Sequence, residues 1–591
     1  MIGYYYIIVT YIFYRRNTTL SFNHTYADSV FINGYIYTAN TSDTVCEAIA
    51  IADGYIIATG NTQEIQQYVN QNTLITDLQG KAMIPGIIDS HLHPFWGGLQ
   101  LSGCHLNYES LTIEQTLERV QNHLDKDMFI GENDWLQVRA WLRQGMIPSG
   151  TDITRSDLDS LRTCRPVILF SNDCHTLVAN SRALELFGLD HNTPEPTDGK
   201  IGRNADGSLN GILEDAPAMR AFDSIPGINH QQAVVIAENV QKVLNRQGVT
   251  TVMDARALNI QFDAFSELSQ QDKLTMRVLG AREITPDDAP TLDAIPNAVA
   301  AMKAFAQKYT DTTWQPKPGI AIKHTKFFID GVLHMPIMTA SLLSPYLENR
   351  GTEEQPNWVA SDRYGDLYYP NEVLTGLVTA VSQEGFHPHM HTVAEGAIEV
   401  SLNAIETMRN HLGDKDIRPA LVHNELAAPH QYKRFAELKT IASLSFQWAG
   451  MTQELMDDDK KIIGEQRFAE LEPIAKFIDA GAKVAFGSDW PIDPLNEWYD
   501  FKVAMTRQIS ANSPRLNTDR NLTITEVLRA ATIDAAYAVG CEDSIGSIEV
   551  GKFADVIILD RNPFLINAEQ IEHVTVLSTV VGGKCVFSRS E

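Results

Sequence analysis

The chain has 591 residues, 44% of them hydrophobic, with Lys+Arg 47 against Asp+Glu 74, so that 47 − 74 = −27. A chain this long and this apolar carries a large core and more than one domain, and its composition is not that of a disordered or fibrous protein. The acidic balance argues against nucleic-acid binding, which needs basic patches that displace counterions.

Ile2 to Tyr14 is almost wholly apolar or aromatic and is followed by Arg15-Arg16. It is short for a membrane-spanning helix and lacks the basic leader region and small-residue cleavage site of an export signal. Residues 1–26 therefore read as an extension upstream of the true start. A weak membrane anchor or export signal is the alternative to a cytoplasmic location. From Ala27 to about Lys81, short apolar runs are separated by Asn33-Gly34 and Asp53-Gly54, the strongest short-range hairpin signals. The same strand-and-turn texture returns near the C-terminus, from Gly546 to Asp560 and again over VTVLSTVVGGKCVF. Residues 27–81 and 530–591 are thus expected to form one small composite β-sandwich, with 82–529 inserted as a closed unit.

That unit alternates apolar strands with amphipathic helical stretches, the pattern of a parallel sheet. Eight strands are expected: Ala82–Asp89, Val249–Asp254, Thr275–Ala281, Ala321–Phe328, Phe386–His391, Pro419–His423, Thr440–Phe446 and Lys483–Gly487. The fold class is therefore α/β, a (β/α)8 TIM-like barrel, with residues from about 101 to 230 inserted after the first strand as a lid or substrate-binding subdomain. The six cysteines are scattered without a C-x-x-C pair, so isolated buried thiols are expected rather than disulfides or a zinc knuckle. No G-x-x-x-x-G-K phosphate loop occurs, so no nucleotide cofactor is expected.

Barrel enzymes place their chemistry at the C-terminal strand ends, and here those ends are polar. The first strand runs into His91 and His93, two residues apart and so on one face of an extended chain. The fourth carries Lys326, the fifth ends in His387-Pro388-His389-Met390-His391, the sixth in His423, and the eighth runs into Ser488-Asp489. Packing alone does not ask for such residues there. Imidazoles and a carboxylate at one rim are ligand types for a divalent metal, Zn²⁺ first among the candidates.

PGIIDSHLH, KFFIDG, HMHTVAEGA, LVH and GSDWPI, with the terminal ADSVFINGYIYTAN and GSIEVGKFADVIILD, resemble the amidohydrolase superfamily. The similarity is greatest to its YtcJ-like or amidohydrolase-3 branch, related to N-substituted formamide deformylases. The resemblance implies His91, His93, His391 and His423 as metal ligands, and Asp489 as ligand and proton shuttle. It implies Lys326 as a carbamylated bridge if two ions bind. In the insertion, NDCH, NSRAL and GILE also match, which implies His175 and Asn180 near the substrate. Glu214 contacts substrate or rivals Lys326 as the anionic bridge, and His389, on the same strand face as His391, rivals it as a ligand or contacts substrate. The branch usually has Gly-Asp after the strand-five histidine and often Glu before the strand-six one, whereas here stand Ala394-Glu395 and Val422.

The activity implied is hydrolysis of an amide, N-acyl or N-formyl C–N bond in a small-molecule substrate. A deaminase or cyclic-imide hydrolase, or a regulatory protein that has lost catalysis, are the alternatives. Trp135, Trp141 and Phe170 of the insertion leave open an apolar substituent. The sequence also leaves open a homo-oligomer.

Overall fold

The computed structural model describes residues 26–589 apart from 108, 127–133, 149, 172–175, 197–198, 226, 312–313, 336–337 and 353. The apolar stretch from Ile2 to Tyr14 lies outside the described residues, as does His175. The centre is a sheet of eight parallel strands: β1 (Ile87–Leu92), β2 (Val249–Asp254), β3 (Arg277–Glu283), β4 (Ile320–Phe328), β5 (His387–Thr392), β6 (Ala420–His423), β7 (Ile441–Leu444) and β8 (Lys483–Phe486). Their order in space is their order in the chain. β8 returns to β1 through Ser90 Oγ donating to Phe486 O at 2.7 Å. Just beyond the strand ends, Asp489 N donates to His91 O at 2.8 Å and His93 N to Trp490 O at 2.7 Å. The protein is an α/β TIM-like barrel.

The surrounding helices follow local chemistry. His230–Gln247 starts at a capping box of Asn229 and Gln232, buries Ala233, Ile236, Ala237, Val240 and Leu244 at helical spacing, and stops at Gly248 with φ 95°. Burial of each of the larger side chains, Ile236, Val240 and Leu244, contributes about 1.5–3 kcal/mol. Among the described residues, no helix is long and apolar enough to cross a membrane.

One strand boundary differs from expectation. Ala82–Asp89 is not a single strand: Ala82–Pro85 belongs to another sheet, and β1 begins at Ile87. Gly86 stands between them, where a Cβ would lie 2.3 Å from the Thr250 side chain.

Two further sheets flank the barrel. One contains Tyr55–Gly60, Ala48–Ala52, Ser29–Ile32 and Leu74–Asp77. The other draws on both chain ends, in the order Lys584–Ser588, Val576–Val581, Val556–Leu559, Ala82–Pro85, Tyr35–Tyr37 and Val45–Cys46. Ile49, Ile51 and Ile56 of the first share a buried cluster with Ile36, Met83, Val556 and Val580 of the second. Asp53-Gly54 forms the expected hairpin, with φ 51° and 79°. Asn33-Gly34 instead carries the chain from one sheet to the other. Here the side chain of Leu78 packs where a Cβ on Gly34 would be.

Arg277, fully buried at the start of β3, ties these sheets to the barrel. Its guanidinium makes paired hydrogen bonds of 2.7 and 3.0 Å to Asp555 and also donates to the carbonyls of Gln315, Pro316 and Lys317. The insertion forms a six-stranded sheet of its own. Trp141 lies in one of its cores and Phe170 in another, with Trp135 packed on the latter. These aromatics hold the insertion together. Among the described cysteines, Cys104 and Cys541 are buried but Cys164 and Cys585 are exposed, so the expectation of buried thiols holds only in part.

Candidate metal centre and its cavity

The strand ends bring six side chains to one rim. His91 is the fifth residue of β1, and His93 stands just before the helix Pro94–Ser102. Lys326 and His391 come from neighbouring strands β4 and β5. His423 ends β6 with φ 76°, followed by Asn424 with φ 51°. Asn424 pins this left-handed turn, accepting from Thr392 Oγ1 at 3.0 Å and donating to Leu421 O at 2.8 Å. Asp489 follows β8, also with positive φ (55°).

Asp489 Oδ1 lies 3.3 Å from His91 Nε2 and 3.4 Å from His93 Nε2, and its Oδ2 lies 4.0 Å from His423 Nδ1. One ligand atom each from His91, His423 and Asp489 lies within 4.8 Å of the others, all buried. The His391 ring is centred 4.7 Å from that of His423. His91 Nε2, His93 Nδ1, Lys326 Nζ, His391 Nδ1, His423 Nδ1 and Asp489 Oδ1 are buried without a hydrogen-bond partner. One such orphan costs about 1–3 kcal/mol, and six at one rim match a site shaped for a ligand.

The electrostatics agree. Burial, reinforced by Lys326 and the neighbouring imidazoles, holds His91 well below its usual range, and burial with nearby histidines does the same for His423. Burial outweighs the pull of Asp489 and brings His93 down to about 4. Neutral imidazole is the form that binds a metal. Burial also lowers the Lys326 ammonium to about 8, against the raising effects of Asp489 and Glu283. The donor set therefore fits a divalent ion.

Two carboxylates brace this rim. Asp89 accepts from Ser488 Oγ at 2.5 Å, Ser488 N at 3.1 Å and His91 N at 3.2 Å, joining the loops that carry His91 and Asp489. Asp330 accepts from the backbone N–H groups of Ser341, Val393 and Ala394, and its Oδ1 lies 3.5 Å from His391 Nδ1. Neither was singled out from sequence, although both lie within the motifs PGIIDSHLH and KFFIDG. A carboxylate next to a strand end reads locally as a turn residue.

The rim opens into a cavity of about 890 Å³, whose outer wall includes Trp96, Phe328, Trp448, Met451, Ile492 and Ile509. His334 and Glu425 also line it, with His334 Nε2 3.2 Å from Glu425 and Nδ1 2.9 Å from Asp459. Despite burial, these two acids hold His334 charged, with its pKa raised to about 11. Among the described residues lining the cavity, none belongs to the insertion.

The other candidate residues lie away from this wall. Asn180 caps the helix Ser181–Leu186: its Oδ1 accepts from Val167 N and Ala183 N, and its Nδ2 donates to Arg165 O. Glu214 accepts from Arg143 at 2.8 Å within the insertion. His389 stands behind His91, with its Nε2 2.6 Å from His91 Nδ1.

The family model Amidohydro_3, Amidohydrolase family, matches residues 74–587. Protein LONG AFTER FAR-RED 3 of Arabidopsis thaliana is 26% identical, over 95% of this chain and 92% of its own. N-substituted formamide deformylase of Arthrobacter pascens is 24% identical, over 95% and 99%. An uncharacterized metal-dependent hydrolase from Pyrococcus furiosus shares the fold at TM-score 0.70 and 22% identity, over 91% of this chain and 99% of its own. With a family match spanning most of its length, the protein belongs to the amidohydrolase family.

Proposed function

We propose that the protein hydrolyses a C–N bond of amide, N-acyl or N-formyl type in a small-molecule substrate. The observation that carries this reading is the convergence, at the floor of a single cavity, of one carboxylate and buried imidazoles that each keep a nitrogen without a hydrogen-bond partner. His91, His93, His391, His423 and Asp489 would hold a divalent ion, Zn²⁺ first among candidates. Bound there, such an ion supplies Lewis acidity that lowers the pKa of water toward ~7 and polarises a carbonyl. Asp489 accepts the proton of the attacking water and returns it to the leaving amine. Its burial raises its carboxyl above the usual range, opposed by His93 and Lys326.

Lys326 has the chemistry for a bridge between two ions. Its buried amine has no hydrogen-bond partner and a pKa lowered to about 8. In its neutral form it adds to CO2, forming a carbamate anion and releasing one proton. The apolar outer wall suits a bulky apolar substituent on the substrate nitrogen, and the similarity to N-substituted formamide deformylase supports that direction.

Elemental analysis of purified protein tests the reading, together with a screen of N-formyl and N-acyl amines. The expected result is one or two divalent ions per chain, a second ion being lost in Lys326→Ala, and amine release that falls about 10²–10⁴-fold in Asp489→Asn. Protein that holds no metal and releases no amine would overturn it.

A further inference from the structure

The interior of a (β/α)8 barrel is ordinarily filled by branched aliphatic side chains, but one layer below this rim stands His389. It alternates with Met390 on β5 and so faces the same way as His391. The register sets it opposite Lys326 of β4, as His391 is set opposite Phe328. It is 2% exposed and lies off the cavity wall. Its ring lies end to end with that of His91, with centroids 4.9 Å apart and planes 20° apart, and its Nε2 is 2.6 Å from His91 Nδ1.

We infer that His389 is a positioning residue for His91, fixing its tautomer and aim for a metal ion, an inference that rests on the metal reading above. The two nitrogens of an imidazole point away from each other. With His91 Nε2 directed toward Asp489 and without a partner, a lone pair on that atom requires the proton on Nδ1. That Nδ1–H then donates to His389 Nε2, which leaves His389 protonated at its own Nδ1. The same geometry puts His389 on the side of His91 remote from an ion at Nε2, and so outside the ligand set.

A metal-binding histidine usually donates its second N–H to a carboxylate, a carbonyl or water. Asp330 comes only to 3.5 Å from His391 Nδ1, without a hydrogen bond. The nearest carboxylate in sequence to His91 is Asp89, and it is occupied by Ser488 and by the His91 backbone N–H. The acceptor left for His91 is an imidazole, which orients the ring without adding a negative charge.

The test compares Zn²⁺ affinity, by chelator competition, in wild type, His389→Leu and His389→Gln, with thermal unfolding of each metal-free protein run in parallel. His389→Leu removes the acceptor and is expected to weaken Zn²⁺ binding about 10–100-fold at unchanged stoichiometry. His389→Gln presents an amide oxygen to the same N–H and should recover most of that loss. Should His389→Leu fail to fold, His389→Met makes the same comparison. Wild-type affinity in the Leu or Met variant, or a whole ion lost from both the apolar and the Gln variants, would overturn the inference. Wild-type protein that binds no Zn²⁺ would instead remove the metal reading on which it rests.

Discussion

Single residues at this site divide into those a sequence exposes and those only the fold reveals. His91, His93, Lys326, His391, His423 and Asp489 are polar residues ending apolar runs, and that mismatch was legible without coordinates. Asp330 was not, because its partner His391 lies 61 positions away (391 − 330) and nothing local links them. Glu497 was equally hidden. It opens the helix Glu497–Thr506, is fully buried, and has no hydrogen-bond partner on either carboxyl oxygen. Burial, reinforced by Asp89, raises its carboxyl to about 8. A folded pKa above the unfolded one means the folded state holds the extra proton. The contribution is therefore fully present below the unfolded value and is lost as pH rises toward 8. Glu497→Gln, which cannot ionise, should match wild type near pH 5. It should gain on wild type by about 1.4 kcal/mol per pH unit up to roughly pH 8. Thermal unfolding across that range checks it; a gap that does not change with pH would refute it.

At the scale of elements, alternation and spacing placed all eight barrel strands within a few residues, because buried parallel strands are continuous apolar runs. The division of the first run at Gly86 was invisible, since the partners that separate its halves, Val556 for Pro85 and Val249 for Ile87, lie far along the chain. Gly487, at the end of β8, is a similar close approach: a Cβ would lie 2.6 Å from His91 Cβ and 2.9 Å from its backbone nitrogen. Gly487→Ala must therefore displace His91. Its Zn²⁺ affinity should fall by at least tenfold, as for loss of an orienting partner, with the secondary structure kept. Chelator competition beside circular dichroism measures both, and unchanged affinity would show that the rim absorbs the extra carbon.

For the whole molecule, the return of strand texture near the C-terminus pointed to a composite sheet, but not to the contact that fastens it. Arg277 and Asp555 are 278 positions apart and pair in a buried setting. Arg277→Ala leaves Asp555 buried without its cation and should cost about 3–5 kcal/mol. This would appear as a lower unfolding temperature; an unchanged one would mean the flanking sheets are held by apolar contacts alone. The ring itself closes where β8 meets β1, through Asp89 and Ser488, which are 399 positions apart. At 5–20 residues per second, a ribosome takes roughly 20–80 s to cover that interval. During that time one side of β1 has no neighbouring strand, and such an edge is a template for pairing with other chains. The seam that completes the ring also assembles His91, His93 and Asp489, so a nascent chain acquires the full rim only when its last barrel strand arrives.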